Sequence, residues 1–192
     1  MFEKLLVKIA QSLDKNKIPY MVIGGQAVLL YGVPRLTEDI DITLGIGVEK
    51  ADLLKKVVKE NKFKIPRGVN DKFIEETNVL VAEDEKSRVR IDFIFSYSLY
   101  EQQAIKRAKQ VKISGYKVKF ASCEDLIIHK IFAGRARDLE DVRMIIQRNY
   151  QRIDKRYIRK WLREFSVLPE QKEALKIFES LLSEIKGRKR KC

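Results

Sequence analysis

The chain has 192 residues, enough for one domain or one domain with a small appendage, and its 45% hydrophobic and 35% charged content is that of a globular protein. Lys and Arg total 40 against 27 Asp and Glu, a formal net charge of +13, and the stretch from Val142 onward holds 15 basic against 6 acidic residues. Two cysteines and one histidine exclude a disulfide framework and a four-ligand Cys/His zinc site. No apolar run reaches bilayer length, so a soluble, cytoplasmic protein with no membrane partner is expected. The charge asymmetry has two readings: a polyanionic partner, nucleic acid before membrane, drawn by clustered cations through counterion release, or a solvated charged surface.

In chain order, Phe2, Leu5, Leu6, Ile9 and Leu13 recur at helical spacing and predict a helix from Phe2 to about Asn16, ended by Pro19. Tyr20 to Ile23 reads as a short buried strand stopping at Gly24-Gly25, with a helix from Gln26 to Tyr31 closed by Gly32 and Pro34. A strand is expected over Asp39–Leu44 and a helix ending near Asn61. Between Phe63 and Thr77 the pattern is weak, reading as a loop and a turn of helix. Val79–Ala82 and Val89–Phe95 read as two strands of a hairpin, Ser98–Ala108 as a helix, and Val111–Phe120 as a second hairpin turning at Ser114-Gly115. Ser122 and Asp125 form a capping box for a helix that Gly134 terminates. Asp138 is expected to cap the next helix, whose stripe is Leu139, Val142, Ile145 and Ile146. Two amphipathic helices follow, about Asp154–Phe165 and Glu170–Ile185. Tyr157, Trp161 and Phe165 recur at helical spacing, as core residues do. The fold class expected is α+β, a mixed sheet flanked by helices and followed by a helical C-terminal region. Its parts would be an α/β core over 1–121, a helical region over 122–186 and a disordered basic tail over 187–192.

The costly feature is the strand DIDITL. Residues two apart share a face, so Ile40, Ile42 and Leu44 point to a core while Asp39 and Asp41 project together. Two such charges about 6 Å apart repel by roughly 3 kcal/mol at an effective dielectric of 20. Either both are well solvated or a cation lies between them, and the hard-oxygen donors then suit magnesium. Asp92 sits alike, between Ile91 and Phe93, on the polar face of another apolar strand. If the two strands are neighbours, three carboxylates converge on one patch. Two divalent ions would turn their repulsion into binding, an arrangement that serves phosphoryl transfer. The alternative is three carboxylates on an exposed sheet face.

Ile-Gly24-Gly25, the later Asp39-Ile-Asp41-Ile and Ile-Asp92-Phe resemble the signature of the nucleotidyltransferase superfamily with the DNA polymerase β-like fold. The runs GGQAVLLYGVPRLTEDIDI and HKIFAGRARDLEDVRMI are similar to its AbiEii toxin-like branch. The resemblance covers about Tyr20 to Ile146. It implies an enzyme that moves NMP from an NTP such as ATP to an acceptor hydroxyl, using two Mg2+ ions held by Asp39, Asp41 and Asp92. Gly24 and Gly25 would let backbone approach the triphosphate, or else form an ordinary tight turn. Arg35 and Thr37 would serve the nucleotide or their own loop. Lys130 matches the triphosphate-binding lysine of the resemblance, and Arg137 and Asp141 its nucleotide-binding block; a solvated lysine, a salt bridge and a cap are the bland readings. RNA or a tRNA end is the acceptor considered first, a small molecule the second. A binding module without turnover, one half of a toxin–antitoxin pair with an antitoxin partner, is the rival outside enzymology.

Overall fold

The computed structural model describes residues 2–189. Its contacts divide the chain into two compact units, residues up to Ala27 with Leu36–Ala121, and Val28–Arg35 with the chain from Ser122 onward. Among the described residues no helix is long and apolar enough to cross a membrane.

The first unit is built on one mixed sheet. Its elements are α1 (Phe2–Lys15), β1 (Tyr20–Val22), the start of α2 (Gly24–Tyr31), β2 (Asp39–Leu44), α3 (Ala51–Glu60), β3 (Phe63–Lys64), α4 (Asp71–Thr77), β4 (Val79–Asp84), β5 (Arg90–Phe95), α5 (Leu99–Arg107), β6 (Lys109–Ile113) and β7 (Tyr116–Phe120). The strand order is β3-β4-β5-β2-β1-β7-β6. β2 runs parallel to β5 and antiparallel to β1, while β4 and β5 form the expected antiparallel pair. Alternation decides the faces: Ile40, Ile42, Leu44, Ile91, Phe93 and Phe95 are buried, and Asp39, Asp41 and Asp92 are half-buried on the other side. Leu6, Ile9 and Leu13 of α1 and Leu54, Val57 and Val58 of α3 add to the core.

Two stretches of this unit differ from the sequence expectation. Gly24 and Gly25 are the first residues of α2, not a separate turn before it. The weak stretch after Phe63 holds the short edge strand β3 and a seven-residue helix, α4. Asn70 caps α4 by accepting from the Phe73 N–H, and Asn78 closes it in the left-handed conformation, φ 54°.

The second unit is helical: α6 (Cys123–Ala133), α7 (Ala136–Asn149), α8 (Lys155–Phe165) and α9 (Ala174–Lys189), with the last half of α2. Ser122 accepts from the Asp125 N–H and Gly134 ends α6 at φ 67°, as expected. Asp138 does not cap α7. Arg135 stands at the N-cap without a side-chain cap, and Asp138 lies buried in the first turn, drawn into ion pairs with Lys130 and Arg135. Asn149 donates to the Tyr31 carbonyl at 2.8 Å, and a side chain at Gly32 would come within 3.2 Å of Ile145. These contacts hold Val28–Arg35 in this unit. Trp161 is buried and stacks on Phe165 at 6.1 Å, which in turn meets Phe132 edge-on at 5.5 Å, so this aromatic series belongs to packing. α9 continues to Lys189, into the segment read as a tail; residues 190–192 of that segment lie outside the described residues.

Candidate active site

β2 and β5 are in register so that Asp41 lies opposite Asp92 and Asp39 opposite Arg90. Facing residues on paired strands share a face, so three carboxylates and one guanidinium form a two-by-two patch with strands about 4.8 Å apart. Asp39 and Asp92 each accept from a side chain. The Thr37 hydroxyl donates to Asp39 Oδ1 at 3.0 Å, and Arg90 Nε donates to Asp92 Oδ1 at 2.7 Å. The hydrogen bond that Arg90 donates to Asp92 and the nearby charges of Asp92, Asp39 and Asp41 outweigh partial burial and hold the Arg90 guanidinium more firmly protonated than usual. Arg90 was not singled out from sequence. Its signal is its place two residues before Asp92, on the same face of the strand.

The glycines are explained by what lies against them. A Cβ at Gly24 would stand 1.8 Å from Asp41 Oδ2 and 2.6 Å from its Cγ, and Gly24 has φ +60°. A Cβ at Gly25 would stand 2.4 Å from Thr37 Oγ1. The space above the start of α2 is therefore taken by Asp41 and Thr37, at a helix end where backbone N–H groups favour an anion. Gly24→Ala should thus cost about 1–2 kcal/mol through left-handed backbone alone and also displace the Asp41 carboxylate. Thermal melts read the first effect. Activity per folded molecule reads the second, and it should fall further than the lost stability accounts for.

Lys130, Arg35 and Asp141 form a cluster in the second unit. The Lys130 ammonium is 5% exposed and lies 2.8 Å from both Asp138 Oδ1 and Asp141 Oδ2. Arg35 grips Asp141 with two bonds, Nε to Oδ1 at 3.1 Å and Nη2 to Oδ2 at 2.9 Å, and Arg135 pairs with Asp138. Burial alone would raise both carboxyl pKa values. The hydrogen bonds and charges of Arg35 and Lys130 at Asp141, and of Arg135 and Lys130 at Asp138, overcome it and hold both below the usual range. Arg137 is exposed on the first turn of α7.

Among the described residues no group of three or more His, Cys, Asp or Glu side chains is already gathered as a metal-holding cluster. The three aspartates are turned onto Thr37, Arg90 and the start of α2.

Residues 2–180 match the family described as "Nucleotidyl transferase of unknown function (DUF2204)". The chain belongs to that family; the match does not place it in the AbiEii branch. No curated protein matches the sequence. Among solved structures, the antibiotic-resistance factor ANT(2'')-Ia aligns with TM-score 0.55 and 16% identity over 99% of this chain and 97% of its own. The lincosamide antibiotic adenylyltransferase LnuA, lincomycin-bound, aligns at 0.52 and 17% over 74% and 94%. An antigenic nucleotidyltransferase-like protein from Paracoccidioides brasiliensis aligns at 0.51 and 21% over 91% and 92%. At these identities the likeness is one of fold, and the fold is that of the nucleotidyltransferases.

Proposed function

We propose that the protein transfers a nucleoside monophosphate from an NTP to an acceptor hydroxyl, with magnesium held by Asp39, Asp41 and Asp92. The observation that supports this reading is the register that sets Asp41 opposite Asp92 with Asp39 on the same face. The donor set suits the ion, since carboxylate oxygens are the hard ligands magnesium takes. Arg90 already answers the patch's demand for positive charge. When bound, magnesium supplies charge stabilisation on the phosphoryl oxygens.

The chain's own residues then have distinct tasks. Asp39 and Asp41 bind on the nucleotide side, Thr37 keeps Asp39 turned toward the patch, and Gly24 leaves room for Asp41. Asp92 orients the acceptor hydroxyl and takes its proton as the acceptor oxygen bonds to the α-phosphorus. The bond from that phosphorus to the bridging oxygen breaks, and pyrophosphate leaves. Arg90, 59% exposed at its side chain, can release Asp92 and turn to phosphate at little cost in burial. The Lys130 cluster acts as a buried brace for α6 and α7.

The acceptor proposed is RNA, from the chain's cationic charge. A small hydroxylated molecule is the second reading, favoured by neighbours whose structures carry adenylyl-2''-tobramycin and lincomycin. Incubation with α-labelled NTPs, magnesium and either total RNA or a pool of aminoglycosides and lincosamides separates the two. Label on RNA with the parent protein and none with Asp39→Ala is the expected result. Label on the small molecules alone would transfer the acceptor assignment to them, and no label in any pool would favour a binding module.

A further inference from the structure

Away from the aspartates, the β3 edge of the sheet carries a concentration of positive charge. A groove of about 570 Å³ has Val58, Phe63 and Ile65 in its lining and Lys55, Lys59, Lys62 and Lys64 around it. A second, of about 340 Å³, is bordered by Lys4, Lys8 and Lys86. The two adjoin where Phe63 pairs with Asp84 across the strands, because Lys8 Nζ lies 4.4 Å from the centre of the Phe63 ring. The acidic residues of these linings are Asp84, which accepts from Ser87, and Glu85. Lys55 is paired with Asp52 and Asp71. Lys4, Lys59, Lys62, Lys64 and Lys86 are exposed and make no ion pair with a described residue.

Spacing and register give this charge a direction. Lys55 and Lys59 are one helical turn apart, about 6 Å, and Lys62, in the turn before β3 at φ 55°, and Lys64, on the strand, flank the buried Phe63. The helical spacing is on the scale of successive phosphates in an extended strand. Lys64 pairs with Glu83, Glu83 with Arg90, and Arg90 with Asp39. These four residues share the sheet face that bears the aspartates, in a row roughly 14 Å long at three strand spacings. Glu83 in that row is engaged by Arg88 at 2.9 Å.

We infer that this lysine-lined edge binds the phosphate backbone of a single-stranded nucleic acid, whose end reaches the aspartates along the row Lys64, Glu83, Arg90, Asp39. Lysines on flexible stems bind phosphates as point charges without reading bases. The large apolar side chains exposed in the first unit, Leu36, Tyr97 and Leu99, lie outside both grooves, so the surface lacks the anchors of a membrane-inserting face. That the strand is the acceptor rests on the transferase reading above; that it binds does not.

Fluorescence anisotropy with a short labelled single-stranded RNA, in a salt series without NTP or magnesium, tests binding alone. The parent should bind with log affinity falling linearly in log salt. K59E/K62E/K64E should weaken binding about tenfold or more and flatten the salt slope by about 2, the share of three phosphate contacts on a single strand. K109E/K112E/K117E changes charge equally at exposed sites on the opposite edge hairpin, and should stay within about threefold of the parent. K59Q/K62Q/K64Q, whose melting temperature should match the parent's, should flatten the slope in the same way. Equal losses in both Glu triples, an unchanged slope in the Gln triple, or retention of phosphatidylserine vesicles with no RNA binding would overturn the inference. None of these outcomes touches labelling of a small acceptor, which tests the transferase reading separately.

Discussion

Asp92→Asn should remove transfer activity, by about a thousandfold or more, while the protein melts at or slightly above the parent temperature. Asparagine keeps the oxygen that accepts from Arg90 at 2.7 Å, so the strand and its neighbour are retained. What disappears is the negative charge that faces Asp41 across the sheet. In the proposed mechanism Asp92 is an anionic ligand and proton acceptor, whose loss costs several kcal/mol in the transition state, and each 1.36 kcal/mol is about tenfold in rate. Relief of repulsion among three carboxylates acts in the other direction on stability, by at most about 1 kcal/mol at a half-exposed site. Single-turnover transfer with saturating NTP beside a thermal melt reads both. Wild-type rate in this variant would remove Asp92 from the chemistry.

Lys130→Met should be the most destabilising single change at the charged positions. It leaves Asp138 and Asp141 buried with one arginine each in place of two cations. Breaking a buried pair costs about 3–5 kcal/mol; because Arg35 and Arg135 remain, about 2–4 kcal/mol is expected here. For a chain of this size that corresponds to a fall of roughly 5–12 °C in melting temperature. The pH dependence has a definite sign. Both carboxyl pKa values are held down in the folded parent, so their stabilisation is present above the ordinary carboxylate pKa and lost as pH falls through the depressed values. In the variant, one cation in place of two offsets the burial of each carboxylate, and acid relieves the pair by protonating it. The gap between parent and variant should therefore be widest near neutrality and narrow below about pH 4. A variant that melts like the parent but has a raised KM for NTP would instead make Lys130 a phosphate ligand.

Local chemistry made much of the fold legible. DIDITL is a strand over the expected residues, and Ser122 caps its helix by the side-chain bond its capping box suggests, while Ser98 and Asp154, expected only as helix starts, prove to be caps as well. Asp39, Asp41 and Asp92 stood out because each interrupts an apolar alternation. Their neighbourhood did not follow from spacing, since strand order is set by long-range pairing; the β2–β5 register supplies it. Asp138 misled for a related reason. A cap is a local motif, but the partner that claims this carboxylate is Lys130, eight residues earlier on another helix. Arg90 was passed over because a polar residue at a strand's edge is ordinary until Asp39 is placed beside it. The glycine pair was read as room for phosphate or as an ordinary tight turn; the atoms nearest those positions belong to Asp41 and Thr37, which spacing along the chain did not reveal.

In the proposed site the aspartates brought together across β2 and β5 hold a divalent ion with the nucleotide. The most direct test is the melting temperature with and without magnesium and NTP, in the parent and in Asp41→Ala. Ligands that bind only the folded chain raise stability by mass action, about 2.7 kcal/mol at a hundred times Kd. The parent should show a rise that requires both magnesium and NTP and that vanishes in Asp41→Ala. An equal rise in the variant would contradict the proposed site.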